Sequence, residues 1–369
     1  MLKRLQALLI SVLVMVVGWY RGLAVQAAQD TGIDTHMHLQ GQPEASGRRG
    51  PRGSERARGR LNYTEAAAVL ISLMKQYGVA KAVVMPPPQA FGQRGGYEYR
   101  AFLKAIDRYP QRLYFAAGGG ALNPRIHATD PSAVTPKQQV DFEAVAEDFV
   151  KAGAVAFGEM TAMHLCMQEW HHYLEAPADH PLFLALADAS ARYGVPIDLH
   201  VEAVPEPMPT PEHLREACSK NPARLPATIP GLERLLAHNR QARVVWQHIG
   251  WDNTGQMTVA LIERLLAAHP NLFVAIRVED RERQIGRETP MPNRIVDAHW
   301  RIRAEWLSLM EAFPDRFMVG GDEFIHGPGE RRQMPHSFGE TWSVVLEQLP
   351  AGLADKIGFA NAARVYRLE

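Results

Sequence analysis

This sequence predicts an α/β fold, a (β/α)8 TIM barrel with long loops at the C-terminal face. Three observations lead there. From residue 32 onward, short apolar runs alternate with segments whose apolar residues recur every three to four positions. The strand–helix pairs number eight, enough to close a parallel sheet in which every helix is a crossover. The runner-up, a doubly wound open sheet, usually carries a glycine-rich first turn, and none follows the first apolar run.

The elements follow in order. The first strand is "GIDTHMHL", residues 32–39, with two histidines two positions apart and therefore on one face. After it, residues 41–60 hold six arginines and two glutamates without apolar periodicity, which reads as a flexible insert or a lid over the first strand's end. A helix over 64–77 leads to "VAKAVVMP", and "YEYRAFLKAIDRYP" leads to "RLYFAAGG". "QQVDFEAVAEDFVKAG" precedes "AVAFGEM", and a helix over 180–193 precedes "VPIDLHVEA". Then come "GLERLLAHN" with "ARVVWQHIGWDN", and "QMTVALIERLLAAHP" with "NLFVAIRVED". "IVDAHWRIRAEWLSLMEAFP" leads to "RFMVGGDEF", and a final helix covers about 336–349.

A barrel carries its chemistry at the C-terminal ends of its strands. Those ends hold His36 and His38 on strand one, Glu159 on strand four, His200 on strand five and His248 on strand six. Strand seven ends in Arg277 and strand eight in Asp322. Each follows an apolar run, and burying such groups unpaired costs several kcal/mol apiece. Taken singly, His200 or His248 reads as a core histidine, Asp322 as a turn cap, and Glu159 as an arginine partner. Converging at one rim, the imidazoles and carboxylates fit a divalent metal. Arg277 suits a substrate carboxylate, or a salt bridge to Glu279 or Asp280. His164, His171 and His172 fall in the loop after strand four, as surface or substrate-side groups.

The segments "GIDTHMHL", "PIDLHVEA", "WQHIGWDNTG", "VGGDEF" and "IGFANAARVYRL" resemble the amidohydrolase superfamily, in its amidohydrolase-related (amidohydrolase-2) branch of TIM-barrel metal-dependent hydrolases. The likeness spans about residues 30–367. It implies one or two divalent ions, most often zinc, and hydrolysis of amide, ester or lactone-like bonds of a small molecule. Some members of the branch instead decarboxylate aromatic or unsaturated acids. Position by position, it implies His36, His38, His200 and Asp322 as metal ligands, with Asp322 also handling a proton. His248 becomes a second-metal ligand or the group that polarises the substrate. Where binuclear relatives carry a carbamylated lysine or a bridging acid, this chain has Glu159. An exported binding protein with a vestigial site is the non-enzymatic alternative.

Composition sets the remaining bounds. The 40 basic and 40 acidic side chains balance, with none of the basic excess of a nucleic-acid binder. Residues 1–27 have a basic start, the apolar run "LQALLISVLVMVVGWY" and small residues near Ala27, the layout of a cleaved signal peptide. The barrel domain is then 28–369, exported to a periplasmic or secreted location, with no stable membrane association after leader removal. A retained N-terminal membrane anchor is the alternative. Cleavage removes Lys3, Arg4 and Arg21 and no acid, leaving 37 basic against 40 acidic groups. The two cysteines, Cys166 and Cys218, are free to pair in an oxidising compartment, though spacing does not decide it. The sequence leaves the substrate and any homo-oligomer open.

Overall fold

The computed structural model describes residues 32–43, 61–93, 96–169, 171–278, 291–328 and 338–368. The leader at 1–27, most of the 41–60 insert, and Glu279 and Asp280 lie outside these residues.

Eight strands close into one parallel barrel: β1 (Gly32–Leu39), β2 (Val79–Val84), β3 (Leu113–Gly118), β4 (Ala156–His164), β5 (Ile197–Val201), β6 (Val244–Ile249), β7 (Leu272–Ile276) and β8 (Phe317–Val319). Each pairs with its sequence neighbours, as in Asp34↔Ala82, Phe157↔Ile197 and Ala275↔Met318. Asp34↔Val319 joins β8 back to β1 and completes the closure.

The helices outside are built by ordinary means. Among them are α1 (Thr64–Gln76), α2 (Pro136–Lys151), α3 (Pro181–Tyr193), α4 (Ile229–His238), α5 (Val259–Ala268) and α6 (Ala304–Ala312). Thr135 and Gln138 form a capping box that starts α2, with Pro136 in its first turn, and Phe142, Ala146 and Phe149 face the sheet. Gly194, at φ 66°, ends α3 in the left-handed conformation that glycine adopts without a Cβ penalty.

Two cores result. The outer one lies between strands and helices. The inner one packs Ile33, Val83, Ala116, Ala156, Val245, Phe273, Ala275 and Met318 inside the barrel. The C-terminal helix α7 (Asn361–Tyr366) belongs to this inner core through Ala362, Val365 and Tyr366, with Leu368 just beyond it.

Three segments differ from the sequence expectation. β4 runs on to His164 rather than ending at Met160, because its extension pairs with Leu174–Glu175 on one side and β5 on the other. His164 is therefore a strand residue and not a loop residue. "YEYRAFLKAIDRYP" forms only a 3-10 turn at Tyr99–Ala101 and a short helix at Leu103–Ile106. The last long helix is π-wound over Glu340–Val345.

The ends of the 41–60 insert meet, since Gln42–Pro43 pairs antiparallel with Leu61–Asn62. A disulfide joins Cys166, after β4, to Cys218, after β5. Met163, Leu165, Val204, Leu214 and Leu225 form a separate small core between those two loops. Among the described residues, no helix is long and apolar enough to cross a membrane.

Candidate metal centre

The groups singled out at the strand ends meet inside the barrel mouth. His36 and His38 are fully buried on one face of β1, with their Nε2 atoms 3.1 Å apart. Glu159 stands opposite, and its two oxygens divide the histidines between them. Oε2 lies 3.4 Å from Nε2 of both His36 and His38. Oε1 lies 2.9 Å from His200 Nδ1 and 3.3 Å from His248 Nε2. Asp322 Oδ1 is 3.3 Å from His38 Nε2 and 3.7 Å from His36 Nε2, while Oδ2 is 3.6 Å from His248 Nδ1.

Local structure aims these groups. Asp34, buried in β1, accepts from the backbone N–H of His36 and of Gly321, and from the Trp342 indole. The Asp322 N–H in turn donates to the His36 carbonyl, which ties the end of β8 to β1. His248 (φ 63°) and Asp322 (φ 54°) both have left-handed backbone, uncommon outside glycine but most accessible to His, Asp and Asn.

The donor set fits a divalent cation. The Met85 carbonyl can only accept, so its 3.0 Å contact with His38 Nδ1 puts a proton on that nitrogen. When the ring is neutral, Nε2 therefore presents a lone pair to the cluster. His36 Nδ1 faces Asp198 Oδ1 at 3.1 Å, which favours the same tautomer. Two lone pairs 3.1 Å apart repel unless a proton or cation lies against them. Three overlapping triads have ligand atoms close enough to share an ion: His36–His38–Glu159, His36–His248–Asp322 and Glu159–His200–His248.

The surrounding carboxylates favour the protonated form of His36 and His200. Burial works to lower His36, but Asp198 and Glu159 raise it well above its ordinary value. Burial likewise opposes protonation of His200, yet Glu159 and Glu202 push it up to about 9. His248 goes the other way, lowered to about 4 chiefly by burial. Burial would raise Glu159, but His36, His200 and His248 hold it well below the usual carboxylate range. Arg277, His248 and His38 do the same for Asp322 against its own burial.

Arg277 stands just past the end of β7, beside Asp322. Its guanidinium pairs with Asp322 and stacks 4.0 Å over the Trp251 ring, and its Nε is a buried donor with no partner among the described residues. The alternative partners Glu279 and Asp280 lie outside the described residues.

Three residues around the centre, Asp34, Asp198 and Glu202, were not anticipated. Asp198 faces His36, and Glu202 Oε1 lies 3.5 Å from His200 Nε2 while accepting from Asn253. Asp34 fixes the β1–β8 junction, and His164 stacks on His200 with ring centroids 4.9 Å apart. One signal was present: Asp198 precedes His200 by two residues and so shares its face.

No protein-family model matches this chain, and no curated protein does. Solved structures do match. A probable 2-pyrone-4,6-dicarboxylic acid hydrolase from Acinetobacter baumannii, solved with citric acid bound, superposes with a TM-score of 0.51 at 14% identity, covering 91% of this chain and 99% of its own. An amidohydrolase 2 from Bifidobacterium longum subsp. infantis aligns at 13% identity over 92% of this chain and 99% of its own, with a TM-score of 0.45. An amidohydrolase from Mycobacterium avium subsp. paratuberculosis aligns at 13% identity over 92% and 98%, with a TM-score of 0.46. At such identity the Acinetobacter structure supports the barrel fold and nothing finer.

Proposed function

We propose that this chain is a metal-dependent hydrolase of the amidohydrolase type, acting on an amide, ester or lactone-like bond of a small carboxylated molecule. One observation carries the reading: each oxygen of Glu159 faces its own pair of imidazoles. A carboxylate so placed suits two ions, one held with His36 and His38 and the other with His200 and His248, with Asp322 completing the set. Zinc suits this mixture of imidazole and carboxylate. Such ions, when bound, supply Lewis acidity and bring the pKa of water toward neutrality.

The chain's own groups supply the rest. Asp322, kept ionised by Arg277, is the proton acceptor, and it returns that proton to the leaving group. His248, lowered to about 4 chiefly by burial, is uncharged at neutral pH and so has a ring nitrogen free to hold an ion. Arg277 offers its unpartnered Nε to a substrate carboxylate, with Trp251 holding the guanidinium plane. The same arginine favours a second reading, decarboxylation of an unsaturated or aromatic acid. The Acinetobacter neighbour is named for a lactone that bears carboxylates, which agrees with an anionic substrate. A location outside the cytoplasm is supported by the disulfide.

Elemental analysis of the purified protein tests the centre, and two metal ions per chain is the expected result. A metal-free protein that stays metal-free in added zinc would instead indicate a vestigial binding site. Screening the loaded enzyme with carboxylated lactones and amides in oxygen-labelled water tests the reaction, since decarboxylation takes only a proton from solvent. Label entering the product supports hydrolysis; carbon dioxide release without label indicates the lyase.

A further inference from the structure

Beneath the imidazoles lies a polar chain that the proposed mechanism does not use. Asp198 is fully buried, on the β5 face that also carries His200. Its Oδ2 accepts from the Gln247 side-chain amide at 2.6 Å and from the Tyr366 hydroxyl at 3.2 Å. Its Oδ1 lies 3.1 Å from His36 Nδ1, and neither atom has a hydrogen-bond partner elsewhere among the described residues. Tyr366 comes from α7, within the inner core of the barrel. Its ring is almost wholly buried among apolar side chains, and its hydroxyl points at the carboxylate.

The neighbouring strands leave room for this chain of contacts. A Cβ on Gly158 would stand 2.7 Å from the Asp198 Cβ. One on Gly320 would stand 2.7 Å from Gln247 Oε1 and 3.3 Å from the His36 Cβ. A carboxylate whose only task was to hold the inner core together would need just the two contacts at Oδ2. The other oxygen would then be left bare in an apolar interior, and buried polar atoms are rarely left so. What it faces is His36, which like His248 belongs to two of the three candidate triads.

We propose that Asp198 and Tyr366 are positioning residues of the metal centre. Asp198 fixes the ring plane and tautomer of His36, and the Tyr366 hydroxyl, with Gln247, fixes Asp198. The proposal rests on the reading of the rim as a metal centre, and it makes the C-terminal helix part of that centre's support. A partner on the far nitrogen of a ligating histidine typically changes metal affinity 10–100-fold.

The test is zinc affinity, measured by competition with a chromophoric chelator, on the full-length wild type, Asp198→Asn, Tyr366→Phe and the double variant. Thermal melting of each metal-free protein is recorded alongside. We expect Asp198→Asn to bind zinc about 10–100-fold more weakly, and Tyr366→Phe to lose a smaller factor. The double variant should be no weaker than Asp198→Asn, because the hydroxyl acts through the carboxylate. Cobalt(II)-loaded variants should also show an altered visible spectrum. Wild-type affinity in both variants, with only their metal-free melting lowered, overturns the proposal in favour of a purely structural network. So does a double variant whose loss is the product of the single losses. If Asp198→Asn does not fold, Tyr366→Phe decides, since it removes one oxygen and keeps the packing. A wild type that binds no zinc overturns the metal centre itself, and is told apart by that result.

Discussion

Replacing Glu159 by Gln removes one charge from the middle of the cluster and leaves its shape. Glu159 Oε1 is 2.9 Å from His200 Nδ1, whereas Glu202 Oε1 is 3.5 Å from Nε2 of the same ring. These two carboxylates raise His200 from 6.5 to about 9 against the effect of burial. That rise corresponds to about 3 kcal/mol of preference for the charged ring. The nearer carboxylate carries the larger part, so Glu159→Gln should lower the His200 pKa in metal-free protein by more than one unit, read from its ring resonances against pH. Linkage gives a second readout. The folded-state value lies above the unfolded one, so this stabilisation is complete below about pH 6.5 and lost as pH rises through about 9. Metal-free wild type should therefore weaken over that window in urea titrations, and Glu159→Gln should weaken much less. The third readout is stoichiometry, expected to fall from two ions per chain to one or none. An unchanged His200 titration together with two retained ions would refute the central place given to Glu159.

Three further outcomes follow from the same geometry. Zinc uptake by the free protein should release protons at pH 7 and tighten as pH rises toward 9, because the ion displaces the proton on His200; calorimetry in buffers of different ionisation enthalpy would show no buffer dependence if this were wrong. Reduction of Cys166–Cys218, whose ends are 52 residues apart, should lower stability by up to about 4 kcal/mol by chain entropy, and an unchanged urea midpoint after reduction would contradict this. Arg277→Gln should raise KM for a carboxylated substrate about 10–100-fold, the effect of losing a charged hydrogen bond, and leave KM for its amide analogue unchanged, with kcat lowered on both through Asp322. Equal KM changes on both substrates would mean that Arg277 acts only on Asp322.

The barrel was legible because each strand is a short apolar run that needs no distant partner to be recognised, and because helices such as α2 carry their start signals locally. The rim groups were legible for a related reason: a polar residue at the end of an apolar run stands out. Polar residues inside such runs did not. Asp34 and Asp198 lie within strands, and what makes each intelligible is far away along the chain: Gly321 and Trp342 for Asp34, Tyr366 for Asp198. The extension of β4 to His164 depends on pairing with Leu174–Glu175, which the order of residues does not announce. Pairing of the cysteines likewise depended on two loops being folded over each other, a fact of space and not of spacing.

The same residues that give this site its chemistry break the rules that stabilise the rest of the chain. Four imidazoles and two carboxylates are packed where the barrel elsewhere holds valine, alanine and phenylalanine. His248 and Asp322 each sit in left-handed backbone, at a cost of roughly 1–2 kcal/mol apiece for a residue with a Cβ. Neither feature is needed to close the sheet, which Asp34↔Val319 and the β7–β8 pairs already do. Both aim side chains at one point. Two of the described non-glycine residues with left-handed backbone thus lie where the carboxylates and imidazoles converge, on the open side of the barrel. A fold under selection for stability alone would have had no reason to keep them there, and a cation shared by these groups gives it one.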